Sequence, residues 1–271
     1  MPGLREQLAR GGGRLRAMLA PCMAPLRWLA RIGLLVIVSA GAVAGGRLLE
    51  QYVRSASAFA TRELRVSGFA RLSQADVLST AGLAEGKNIF EVSPDRARAA
   101  LLEHPWIAEA KVTRRLPGSY ALEIREHQAA LAIALETLYL VSEEGTIFKG
   151  VEASDAIDLP ILTGIDPARF RADLGLRTAL LINAVALLHD YRDAGLWRRE
   201  PIAEIHAASA DNFVLYVGDD ALQVRLGPRP FAKKLRRLRA VLDRLHKDAA
   251  RPAYVYLDNV RRPDRVAVGV R

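Results

Sequence analysis

Between residues 88 and 126 the hydrophobic period changes, and that change limits the fold more than any other feature of the chain. The stretch reads NIFEVSPDRARAALLEHPWIAEAKVTRRLPGSYALEIRE. Ser93 suits a helix N-cap, because its hydroxyl can accept from a free N–H of the first turn. Pro94 fits the first helical position, and Asp95 complements the positive end of the helix dipole. Ala97, Ala100 and Leu101 then recur at i, i+3 and i+4, one apolar helical face. His104-Pro105 ends the helix, since proline disfavours α backbone in the residue before it. From there the period is two. Ala108, Ala110 and Val112 alternate with Glu109, Lys111 and Thr113; after a Pro117-Gly118 turn, Tyr120, Leu122 and Ile124 alternate with Ala121, Glu123 and Arg125. The expectation is a helix followed by a β-hairpin with one oily face, with Trp106 as a core anchor beside the hairpin start.

Upstream, Leu64 and Val66 alternate in a short strand closed by Gly68. Ser73 and Asp76 have capping-box spacing. Val77, Leu78 and Ala81 form an apolar face, and Gly82 suits the position just past a helix end. The order is strand, helix, helix, strand, strand. It resembles a POTRA domain, a three-stranded sheet covered by two helices. The phrases LRVSGFARLS, NIF, HPWIAEAKVTRRLPG and LEIRE carry that likeness. Together with the apolar segment before them, they resemble the bacterial FtsQ/DivIB cell-division family over roughly residues 24–271.

The charge is placed unevenly. The formal net charge is +9 over 271 residues. Before Ile32, six arginines (5, 10, 14, 16, 27 and 31) face one acid, Glu6, so the head carries +5 and the other 240 residues only +4. Cations concentrated before an apolar run point to membrane topology more than to nucleic acid. Ile32 to Gly46 is uncharged but only 15 residues long. That is about 22 Å of helix, against a hydrocarbon core of about 30 Å. A span therefore needs Trp28 and Tyr52 at its interfaces and Arg31 and Arg47 snorkelling outward. Ala42-Val43-Ala44 leaves open a second reading, a signal-peptidase site and an exported protein. A buried helix of a soluble protein is a third. Cys22, the single cysteine, rules out an internal disulfide framework.

These features divide the chain into a basic cytoplasmic head at 1–25, a transmembrane helix at 26–50, a juncture at 51–62, a POTRA unit at 63–127 and a C-terminal α+β domain at 128–271. In that last domain, strands are expected at 138–141, 147–148, about 202–208, 213–218, 221–227, 253–258 and 265–271. Helices are expected at about 176–194 (Leu180, Ala184, Leu187, Leu188 and Tyr191 in line) and along Phe231, Leu235, Leu238, Leu242 and Leu245. The phrases LYLVSEEGTIF and LPILTG also resemble the family, with Ser142 where Asp is more usual. Mostly antiparallel strands with two helices make the class α+β.

Motifs for catalysis are absent. There is no Gly-rich phosphate loop, HExxH, GxSxG, or serine followed three residues later by lysine. The five histidines (104, 127, 189, 206 and 246) are isolated, without ligand spacing. No cofactor and no metal is expected, and the reading is not an enzyme. The basic run 233–239, Lys-Lys-Leu-Arg-Arg-Leu-Arg, reads first as the solvated face of an amphipathic helix; anionic lipid or an acidic partner is the functional alternative.

Arg265 to Arg271 alternates Val266, Val268 and Val270 with Arg265, Ala267, Gly269 and Arg271. A strand left at a sheet edge presents unpaired N–H and C=O groups, a template for a partner strand. Small Ala267 and Gly269 are expected to let that partner approach. An ordinary edge protected by two arginines is the plain alternative. The family resemblance implies that this strand and its neighbour, with Tyr254 and Tyr256, receive the coiled-coil division proteins FtsB and FtsL. It further implies FtsK, FtsW and the septal transpeptidase as partners, and no nucleic acid. The chain departs from the family where Tyr256-Leu257-Asp258-Asn259 replaces an Asp-Leu-Arg phrase and Val270 an aromatic. An exported POTRA chaperone for outer-membrane proteins is the rival reading.

Overall fold

The computed structural model describes residues 28–48, 50–53, 57–153, 155, 158–248, 250–259, 261–262 and 264–270. The basic head, Cys22 and Arg271 lie outside them. The described residues form two compact units. One comprises those up to 65 with 82–96 and 112–121, and the other 66–81, 97–111 and 122–271.

Helix α1 runs Trp28–Val53, 26 residues, long and apolar enough to cross a membrane and with none of its apolar window buried in protein. At 1.5 Å per residue it spans about 39 Å. Charge-free length alone understated it, because the helix continues through Arg31 and Arg47 at its ends.

The POTRA elements follow as β1 (Glu63–Ser67), α2 (Gln74–Thr80), α3 (Pro94–Leu102), β2 (Ile107–Arg115) and β3 (Ser119–Glu126), with sheet order β1-β3-β2. The capping box forms: Ser73 Oγ accepts from Asp76 N, and Asp76 accepts from Ser73 N, each at 3.1 Å. Ser73 Oγ–H also donates to the carboxylate, which holds Asp76 below the usual carboxylate range. Ser93 Oγ accepts from Arg96 N at 3.2 Å, and the α3 face expected from the sequence places Ala97 and Leu101 fully in the interior. Tyr120, Leu122 and Ile124 are buried as the alternation requires. Gly68 adopts φ +86°, and a Cβ there would lie 1.9 Å from Ile124 O, so only glycine can close β1 against β3.

Among the described residues nine strands make the second sheet, in the order β12-β11-β10-β9-β8-β7-β4-β5-β6. They are β4 (Ala129–Ala134), β5 (Leu138–Ser142), β6 (Ile147–Gly150), β7 (Ile161–Thr163), β8 (Ile202–Ala207), β9 (Phe213–Val217), β10 (Leu222–Gly227), β11 (Pro252–Tyr256) and β12 (Ala267–Val270). Five of the eight pairings are antiparallel; β10–β11, β7–β8 and β4–β7 are parallel. Helices α4 (Pro167–Ala172), α5 (Leu174–Asp193) and α6 (Phe231–Lys247) accompany them. The expected apolar faces of α5 and α6 are buried, except that Leu245 is only half-buried.

Three differences from the sequence reading have physical causes. Strand β4 escapes alternation because Ala130 to Ile133 are all buried, as in a central strand covered on both faces. The helix expected from about 176 starts at Leu174, because the Asp173 carboxylate accepts from Leu176 N at 2.9 Å, and Asp166 caps the separate α4 the same way through Ala168 N. Strand β12 begins at Ala267 rather than Arg265, because a turn precedes it: Arg265 N donates to Arg262 O, and Arg262 N donates to the Asn259 side chain.

Candidate partner-strand site at the sheet edge

The site is built across four strands. Register places Leu215, Val224, Val255 and Val268 in one cross-strand row, and the first three are fully buried. Val268 and Val266 pack against that core. This row is the apolar anchor of β12. The neighbouring row reads Tyr216, Gln223, Tyr254, Gly269, and it emerges on the opposite face because side chains alternate along each strand.

That second face is aromatic and hydrogen-bonded. Tyr254 and Tyr256 stack with ring centroids 4.5 Å apart. The Arg225 guanidinium lies 4.5 Å over the Tyr256 ring, a cation–π geometry. Gln223 receives the Tyr256 hydroxyl at 3.4 Å and donates to the Tyr216 hydroxyl at 3.3 Å. The two tyrosines are thus preorganised beside the edge.

Strand β12 pairs with β11 and, among the described residues, with no strand beyond it. One side of its backbone is therefore unpaired. The expectation that Ala267 and Gly269 leave room for a partner needs a correction at Gly269. A Cβ there would lie 2.1 Å from Tyr254 Cε1, so the space is filled by the chain's own ring. Ala267 is exposed, and Val270 at 59 % is exposed as well, opposite Pro252 beyond an irregularity in β11. Arg265 is exposed and precedes the strand.

Most of the basic run on α6 is consumed inside the domain. Lys234 donates to Leu226 O and Pro228 O, and burial lowers its pKa from the usual lysine value. Arg239 donates to Ala194 O at 3.0 Å. Arg237 pairs with Asp264 at 2.7 Å and so ties α6 to the loop leading into β12. No sequence motif marks that last contact, because its partners are 27 positions apart.

The remaining expected residues fall elsewhere. Trp28, Arg31, Arg47 and Tyr52 all lie exposed on α1. Trp106 is buried, edge-on to Phe148 at 5.1 Å and beneath Arg71 at 4.0 Å. Among the described residues no three His, Cys, Asp or Glu groups converge as a metal would require. Thr163, Glu204 and His206 do meet: Thr163 Oγ1 lies 2.5 Å from Glu204 Oε1 and 3.1 Å from His206 Nδ1.

A helix able to cross a bilayer, a POTRA unit and an α+β domain with an open edge define a class: POTRA proteins with a candidate membrane helix. The family model for the POTRA domain of FtsQ type matches residues 59–127, and that for the C-terminal domain of cell division protein FtsQ/DivIB matches 130–258. Cell division protein FtsQ of Anaeromyxobacter sp. (strain K) is 33% identical over 267 residues, 98% of this chain and 88% of its own. The FtsQ of Myxococcus fulvus is 32% identical over 226 residues, 83% of this chain and 79% of its own. The FtsQ of Geobacter sp. (strain M21) is 27% identical over 219 residues, 81% and 80%. This chain belongs to the FtsQ/DivIB family of cell division proteins.

Proposed function

We propose that the protein is a non-catalytic, bitopic scaffold of the divisome that captures the FtsB–FtsL pair by strand addition to β12. Capture at this edge regulates septal peptidoglycan synthesis, and FtsK, FtsW and the septal transpeptidase are further partners. The observation that carries this reading is β12 itself, paired on one side and anchored by Val268 to a buried row. Backbone hydrogen bonds supply affinity in such a mode, and the flanking Tyr254 and Tyr256 supply selectivity. Ala267, Val270 and Arg265 are the exposed side chains a partner meets.

The six arginines before Ile32 favour an N-terminus in the cytoplasm, which would leave the folded domains in the periplasm; enrichment at the septum is part of the proposed divisome role. Trp28 and Tyr52 sit about 36 Å apart along α1, one at each interface, with Arg31 and Arg47 snorkelling.

Deletion of 265–271 from the full chain should abolish pull-down of FtsB–FtsL while thermal unfolding still reports a folded protein. Undiminished pull-down would refute the assigned edge. A fluorescent fusion should gather at midcell; uniform envelope fluorescence would remove the division role.

A further inference from the structure

The hairpin tip between β2 and β3 exposes an apolar side chain among cations. Leu116 is 63 % exposed beside exposed Arg115; Arg62, also exposed, donates its N–H to Gly118 O in the same turn, and exposed Lys87 accepts through its carbonyl from Thr61 N. Lys87 pairs with Glu91 at 3.6 Å, whereas among the described residues neither Arg62 nor Arg115 has an ion-pair partner. The arrangement is not required by the domain core: Tyr120, Leu122 and Ile124 fill it without Leu116.

Contacts inside one compact unit lead from α1 to this tip. The carbonyl of Val53, the last residue of α1, accepts from Asn88 Nδ2 at 3.0 Å. Asn88 bridges to Ala60. Phe59 and Phe90 meet edge to face at 5.3 Å. Gly118 approaches Ala60 so closely that a Cβ would lie 2.4 Å from its carbonyl oxygen, and Gly118 O accepts from Arg62 N at 2.8 Å. The tip is thereby held beside the helix end that leaves the bilayer.

We propose that this tip rests on the anionic phospholipid surface that α1 crosses, with Leu116 in the headgroup–acyl boundary and Arg62 and Arg115 on lipid phosphates. The inference rests on reading α1 as a membrane anchor. An exposed leucine beside unpaired guanidinium groups suits an interface where one end is apolar and the other charged. A second attachment next to α1 restricts the swing of the POTRA unit and fixes the height at which it stands. A protein pocket receiving Leu116 is the competing occupant, and the test separates the two.

The test uses the full chain carrying Cys22→Ser and Leu116→Cys, labelled at the new thiol with an environment-sensitive dye. The protein is placed in nanodiscs of phosphatidylcholine with or without phosphatidylglycerol. In the anionic discs the dye should emit to the blue and be quenched by lipids spin-labelled high on the acyl chain. Arg62→Glu with Arg115→Glu should cut that quenching severalfold, since each basic side chain at an anionic surface is worth about a fivefold change in binding. Added salt should weaken it in the same direction, and inorganic phosphate in detergent should leave the emission unchanged. Red, unquenched emission from protein still embedded after an alkaline wash would overturn the proposal. So would a blue shift that spin-labelled lipid cannot quench, the mark of a protein pocket. Loss of the protein from the discs in that wash would instead remove the anchor, and the tip contact with it.

Discussion

Gly269 lies directly beneath the ring of Tyr254, its antiparallel partner across β11 and β12. The glycine is there because the ring needs the volume a Cβ would take, and the ring in turn stacks on Tyr256. Gly269→Ala should therefore push Tyr254 out of its stack at a cost of about 0.5–1.5 kcal/mol, the worth of an aromatic pair. In a Tyr254→Ala background the same change should cost almost nothing. A double-mutant cycle by urea unfolding measures the coupling; additive effects would show that the ring does not occupy that space.

Arg237 reaches across to Asp264 just before β12. An ion pair with one partner so open to solvent contributes at most about 1 kcal/mol, so Asp264→Asn should barely change global stability. It should nevertheless speed amide exchange through 265–270, because the loop into the edge strand loses its tether. Hydrogen exchange read by mass spectrometry checks this, and an unchanged exchange rate there counts against the tether.

Glu126 closes the turn after β1 from the end of β3. Its carboxylate accepts from Ala70 N, Arg71 N and Leu72 N at 3.0, 2.8 and 3.0 Å. Burial pushes its pKa up, but those three donors and the Arg71 charge outweigh burial and hold it below the usual carboxylate range. A depressed folded pKa means the stabilisation is complete above the unfolded value and is lost as pH falls through the folded one. Glu126→Ala should cost about 1–2 kcal/mol near neutrality, discounted for partial exposure. Its deficit should shrink in unfolding curves taken at progressively more acidic pH.

His127 stacks on Phe148, centroids 4.6 Å apart and planes 17° from parallel, and its buried Nδ1 has no hydrogen-bond partner among the described residues. Burial lowers its pKa; Arg125 adds to that, and Glu144 opposes it. Because the folded pKa lies below the unfolded one, the unfolded chain takes up the proton first. Stability should fall as pH drops from the ordinary histidine value toward the folded one. His127→Phe keeps the stack and should flatten that part of the profile, measured as denaturation midpoints from pH 7.5 to 5. An identical slope in the variant would remove His127 as its source.

Local patterns in the sequence predicted much of the fold. The shift from helical to alternating period at Pro105, the capping spacing of Ser73 and Asp76, and the faces of α5 and α6 all follow from rules that act within a few residues. The fully buried β4 did not show itself, since a strand covered on both faces has no alternation to read. The short α4 was missed too, as one and a half turns carry too few apolar positions for a period.

By itself the amino-acid order determined the apolar helix, the POTRA sequence of elements and the β-strand character of 267–270, because each is set by neighbours along the chain. Only the tertiary structure decided that this last strand stands at the edge of the nine among the described residues, that Tyr254 fills the space at Gly269, and that Lys234, Arg239 and Arg237 of α6 meet Leu226 O, Ala194 O and Asp264. Those outcomes depend on which distant segments pair and pack. The energies that choose among pairings come from burial and register between strands, and no local spacing encodes them.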